Sequence, residues 1–185
     1  MTKTVLTFGI LSGLIIAALV WTTATLADRD AIAFERLDIV GYASMLIALT
    51  MVFFGIKSYR DNVGKGTITF WKGVQVGFLI SLISAFLYWG GAISYGIVNP
   101  NFEANFIRKF TDLKVNKPAE QGAPQAQIDK AKSEVEMMQT LFKNPVLFFL
   151  VCLMEMLPVG IVVTLISAAL MRRRELLPVQ DPSVA

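Results

Sequence analysis

The chain reads as an all-α integral membrane four-helix bundle, with two amphipathic helices in the external loop between the third and fourth spans. Three observations predict it. Apolar residues gather into runs at 5–26, 39–56, 74–98 and 146–171, each near the roughly 20 residues that cross a hydrocarbon core of about 30 Å. Charge is scarce, 17% of 185 residues against 55% hydrophobic, with a mean hydropathy of +0.59, so too little polar sequence remains to sheathe four buried helices in water. Within 99–144, apolar positions recur at helical spacing among many charges. The bilayer is thus the first expected partner, and the chain is expected to form one membrane domain.

The first run follows Lys3 and ends in Thr25, Leu26 and Ala27, an ending that a cleaved signal peptide would share. Its apolar stretch exceeds the about 7 to 15 residues of a signal core, so it is read as a retained span. Gly9, Gly13 and Ala17 recur at intervals of four on it, and Gly73, Gly77 and Ser81 repeat the pattern near the start of the third run. Small residues so spaced let helix backbones approach closely and gain dispersion contacts that lipid cannot replace. The two stripes are expected to pack on each other, with a homodimer seam as the competing use. Gly41, Ser44 and Ala48 give the second run a similar small face.

Loop charge sets the expected orientation. KSYRDNVGKGTITFWK, after the second run, carries Lys57, Arg60, Lys65 and Lys72 against Asp61 alone, and the fourth run opens into Arg172, Arg173 and Arg174. Both belong on the cytoplasmic side, which puts both termini inside. Lys57, Tyr59, Arg60 and Asp61 read first as a basic and aromatic anchor at the inner headgroups, and second as a docking point for a cytoplasmic partner. The glycines around Lys65 lack phosphate-loop spacing and read as a turn. The arginines suit anionic lipid headgroups rather than nucleic acid, and no nucleic-acid partner is expected.

The segment 99–144 holds seven Lys and Arg against six acids and is assigned to the outside. Phe102, Phe106, Phe110 and Leu113 follow Asn101, a suitable N-cap; after KPAEQGAP, read as a loop, Ile128, Ala131, Val135, Met138 and Leu141 share a second helical face. These helices would either lie flat at the interface or pair as a cap over the bundle. Asn144 and Pro145 then suit the cap and first residue of the fourth span. Residues 175–185 are expected to form a flexible tail.

LMEMLPVG, at 153–160, places one carboxyl, Glu155, within an apolar run. At about 1.5 Å per residue from Pro145 it lies some 15 Å into the layer. A charge at that depth costs roughly 2.5 to 3.5 kcal/mol, so Glu155 should face the bundle, protonated or paired. Ser84 and Tyr88 of the third run are its candidate partners, and Pro158, which cannot donate to the carbonyl of Met154, is expected to leave a bend and a free acceptor beside it. The site serves either as a hydrogen-bonding pin between helices or as a proton- or cation-binding group of an oligomeric transporter or channel.

Catalysis is not expected. Histidine is absent, which removes imidazole acid–base work, the Ser-His triad and the commonest metal ligand. The lone Cys152 permits no disulfide within the chain, and no catalytic, cofactor or metal site is assigned. The reading that remains is a non-catalytic accessory or partner-binding subunit, alone, with a membrane protein partner or as a homo-oligomer.

GYASMLIALTMVFFGIKSYRD at 41–61, GTITFWKGVQVG at 66–77 and EMLPVGIVVTLISAALMRR at 155–173 closely resemble a family of small bacterial membrane proteins, domain of unknown function 4199. The resemblance implies a bacterial origin and four membrane helices in the inner membrane. It carries over no catalytic or ligand-binding residue.

Overall fold

The computed structural model describes residues 1–172; Arg173, Arg174 and the 175–185 tail lie outside the described residues. Four helices are long and apolar enough to cross a membrane, the make-up of a multi-pass membrane protein. They are α1 (Thr2–Asp28), α2 (Leu37–Asn62, entered through a 3-10 turn at Phe34–Arg36), α3 (Phe70–Val98) and α7 (Pro145–Met171). Each begins one to four residues before its apolar run, and α1 and α2 also continue past its end, while α3 and α7 stop at its last residue. Between α3 and α7 run α4 (Phe102–Thr111), a π-helical turn (Asp112–Asn116), α5 (Lys117–Glu120) and α6 (Gln125–Lys143).

KPAE is therefore helical rather than loop. Pro118 has no amide to donate and would crowd the carbonyl four residues back; the widened turn before it relieves that conflict, and α4 continues into α5. Asn144 caps α7 as its sequence suggests, Oδ1 accepting from the amides of Val146 at 3.1 Å and Leu147 at 3.2 Å, with Pro145 as the first helical residue. Asn101 precedes α4 without a side-chain cap bond.

The bundle packs unevenly. At the end holding Met1 and the α2–α3 turn, here the proximal end, Val52, Ile56, Val76 and Ile80 lose all exposure against one another and their neighbours. Outward faces carry Leu14, Ile47, Phe86, Met154 and Leu170, each more than half exposed. So much uncovered apolar surface suits lipid rather than water. At the distal end α4 and α6 pack through their own small core of Val115, Ala131 and Val135, joined by Ile107, Phe110 and Ile128.

The small-residue stripes require a correction. They do not meet each other. On parallel α1 and α3, Gly9 faces Ile83, Gly13 faces Leu87 and Ala17 faces Gly91. The stripe of α3 lies about 80° around that helix and packs antiparallel on α7, Gly73 against Ala168, Gly77 against Thr164 and Ser81 against Gly160. Each interface pairs a notch with a filling side chain where it can, which gains more contact than two notches face to face. Ser12 Oγ donates to the carbonyl of Ala48 at 2.8 Å and ties α1 to α2 inside the core.

The α2–α3 connection is a tight turn, with Lys65 at φ 49° and Gly66 at φ 89°. Gly64 is held by space: a Cβ there would collide with the carbonyl of Thr67 and come within 3.0 Å of that of Arg60.

Candidate functional site

Above the tight proximal core, the distal half of the bundle holds a partly open cavity of about 840 Å³. All four long helices wall it, and α4 and α6 close over it with Phe102, Phe106, Phe110, Met138, Leu141 and Phe142. The volume falls within the range of about 300 to 1,000 Å³ that holds drug-sized ligands. An aromatic chain fixes the closing helices to the span: Trp21 meets Tyr95 edge-on at 5.3 Å, Tyr95 meets Phe102 at 4.9 Å, and Phe106 contacts Phe34 at 5.0 Å and Phe142 at 5.6 Å. The indole of Trp21 donates to the carbonyl of Gly91 and the hydroxyl of Ser94, both at 3.1 Å.

Glu155 opens onto this cavity from α7. Tyr88 of α3 donates to its Oε2 at 3.2 Å, and among the described residues that is the carboxyl's sole hydrogen bond. The contact is longer than the usual 2.5 to about 3.0 Å for such a pair. A carboxylate accepts at about four positions, Tyr88 takes one of them, and the Glu155 side chain is otherwise exposed.

Ser84 does not join them. Its Oγ donates to the carbonyl of Ile80 at 2.9 Å and approaches that of Gly9 at 3.4 Å, fully buried between α1 and α3. The two hydroxyls on α3 are four residues apart, yet Tyr88 reaches the carboxyl through its ring while the short serine falls back on its own helix. Pro158 is exposed, and α7 runs helical through it.

Asp38, the second residue of α2, also lines the cavity. Glu35 and Glu103 also line it, Glu35 already paired with Lys117 at 3.1 Å. The one basic residue of the lining is Lys114, placed by the π turn, its ammonium 5.8 Å from the centre of the Phe110 ring. Sequence reading passed over Asp38 and Lys114. An acid one residue ahead of an apolar run was a usable signal for the first; nothing in a linear pattern marks a π turn.

A second cluster holds the closing helices to α1. Lys109 Nζ donates to the carbonyl of Ala27 at 2.6 Å and pairs with Asp30 at 2.7 Å, while Asn105 donates to Asp28 at 2.9 Å. A cation at a helix C-terminus satisfies free carbonyls and opposes the negative end of the helix dipole.

At the proximal end Lys57 is exposed, and Arg60 bonds Asp61 at 2.7 Å and reaches the sulfur of Met171 at 3.3 Å. Tyr59 is not at the surface; it is buried in the main core with Ile56, Ile68 and Met171, because the helix turns its ring inward beside them. Of the four residues, Lys57 and Asp61 are exposed at this end and Arg60 is half-buried, while Tyr59 is withdrawn from it.

No curated protein and no solved structure matches the chain. The family profile described as "Protein of unknown function (DUF4199)" matches residues 7–173, nearly the whole length. The resemblance carried by residues 41–61, 66–77 and 155–173 therefore extends across all four long helices, and the chain belongs to that family.

Proposed function

We propose that this is a non-catalytic binding subunit of a bacterial inner membrane, with both termini cytoplasmic and the α4–α6 segment a pair of amphipathic helices outside, over the mouth of the bundle. The observation that carries the reading is the distal cavity, walled by all four spans and floored by a carboxyl that accepts from Tyr88 alone. A chamber of that size beside a tightly packed half is a place to hold a small molecule or a partner's side chains. The basic turn after α2 and Arg172 favour the cytoplasm for the proximal end.

Native mass spectrometry of the protein released from its own membranes tests the reading. A bound small molecule of defined mass is expected, lost in Gly41→Trp, since Gly41 lines the cavity and a side chain there meets nothing within 4 Å. A protein with no adduct that copurifies with no companion would sink the proposal.

One observation favours a second reading, an oligomeric proton-coupled transporter or channel: Glu155 faces the cavity instead of being sealed between helices. In liposomes carrying a pH-sensitive dye, proton-linked flux abolished by Glu155→Gln would select this reading over the first.

A further inference from the structure

We infer that the distal cavity takes a lipophilic organic cation, with Glu155 as its counter-ion. The inference rests on the binding role proposed above and names the ligand class. Two features that are independent of each other point to it. The walls are dominated by aromatic and aliphatic side chains, among them Phe102, Phe106 and Phe148, which select an apolar body. The charges on the lining are mostly negative, Glu35, Asp38, Glu103 and Glu155 against Lys114, and Glu35 is neutralised by Lys117.

Glu155 is the decisive group. It follows Met154, which faces outward at 76% exposure, and is itself exposed, and no Lys or Arg among the described residues pairs with it. Tyr88 occupies one of its acceptor positions at 3.2 Å. A carboxyl at that depth with one long hydrogen bond would be held in its charged form by a cation brought in from outside the chain, and Tyr88 and the phenylalanines supply ring faces to the same guest. Lys114, its ammonium 5.8 Å from the centre of the Phe110 ring, belongs to the closing segment rather than to α7. A soluble amine with an apolar body and the ammonium headgroup of a membrane lipid share this chemistry.

The test compares two probes of matched size and opposite charge, tetraphenylphosphonium and tetraphenylborate, by equilibrium dialysis against the full-length protein in a neutral detergent. Tetraphenylphosphonium is expected to bind about tenfold or more tightly than the borate, a preference that shrinks at least severalfold in Glu155→Gln. Asp38→Asn, on a different helix, is expected to reduce the same preference less, and it keeps the test open if Glu155→Gln fails to fold. Gly41→Trp should weaken both probes. Equal binding of the two probes, both lost in Gly41→Trp, would leave the chamber as a binding site and overturn the cation assignment; binding of neither would overturn both. Displacement of bound phosphonium by lysophosphatidylethanolamine but not by lysophosphatidylglycerol places the cation on a lipid, and displacement by neither places it on a soluble amine, each in keeping with the inference; displacement by the anionic lysolipid alone contradicts it.

Discussion

Gly77 offers the sharpest test of the packing. A Cβ built on it would lie 2.7 Å from both Cγ2 and Oγ1 of Thr164 and 3.0 Å from Cδ1 of Ile56, where ordinary contact begins at about 3.4 Å. Thr164 is β-branched and held by its helix, so it has little room to turn away. Gly77→Ala must therefore push α3 and α7 apart by several tenths of an ångström, an overpacking cost of about 1 to 3 kcal/mol. Gly90 is also within α3, but a Cβ there meets nothing within 4 Å. Both substitutions gain the same helix propensity, about 0.8 to 1.0 kcal/mol, so that gain cancels in their difference. At about 2 to 4 °C per kcal/mol for a chain of this size, Gly77→Ala should melt roughly 2 to 12 °C below Gly90→Ala. Tryptophan fluorescence during thermal melts in detergent micelles measures it. Adding Thr164→Ala to Gly77→Ala should restore most of the loss, because it removes the two atoms that clash. Equal melting of the two glycine variants, or no rescue, would refute the α3–α7 interface described here.

Three further outcomes follow from single contacts. Thr164 Oγ1 is buried without a hydrogen-bond partner among the described residues, so Thr164→Val should leave the melting temperature unchanged or raise it by a few degrees; a clear fall would show that the hydroxyl is satisfied in the membrane. Ser12→Ala removes the buried bond to Ala48 and should cost about 0.6 to 2 kcal/mol, read as a lower melting temperature with unchanged expression. Lys109→Met should leave the spans intact but speed amide exchange in Ala27, Asp28 and α4, as the closing helices lose their tie to α1; exchange equal to the unsubstituted protein would remove that tie from the account.

Runs of apolar residues made the four long helices legible, because lipid demands length and hydropathy that a linear pattern displays directly. Their partners were not legible. Gly73 and Gly77 announce that something packs closely, but which helix fills the notch depends on rotation and on large residues such as Thr164 and Ile56 elsewhere in the chain. Glu155 was conspicuous by its setting, and Tyr88 by its depth; Ser84 shared that depth but is buried against α1 and turned to the carbonyl of Ile80. The cavity itself left no trace in composition. It arises where Gly41 and Gly96 present no side chain and α4 and α6 bring Phe102, Phe106 and Phe142 to the lining, a property of the assembled distal end.

The contrast between a solid proximal half and a hollow distal one has a mechanical meaning. Four rods clamped at one end bend most at the other, and α1, joined to α4 through Lys109, must carry the closing segment with it when it sways. The rim is thus the compliant part of a stiff frame, and lateral pressure from a thicker or more crowded bilayer would be felt there as a change in the width of the chamber.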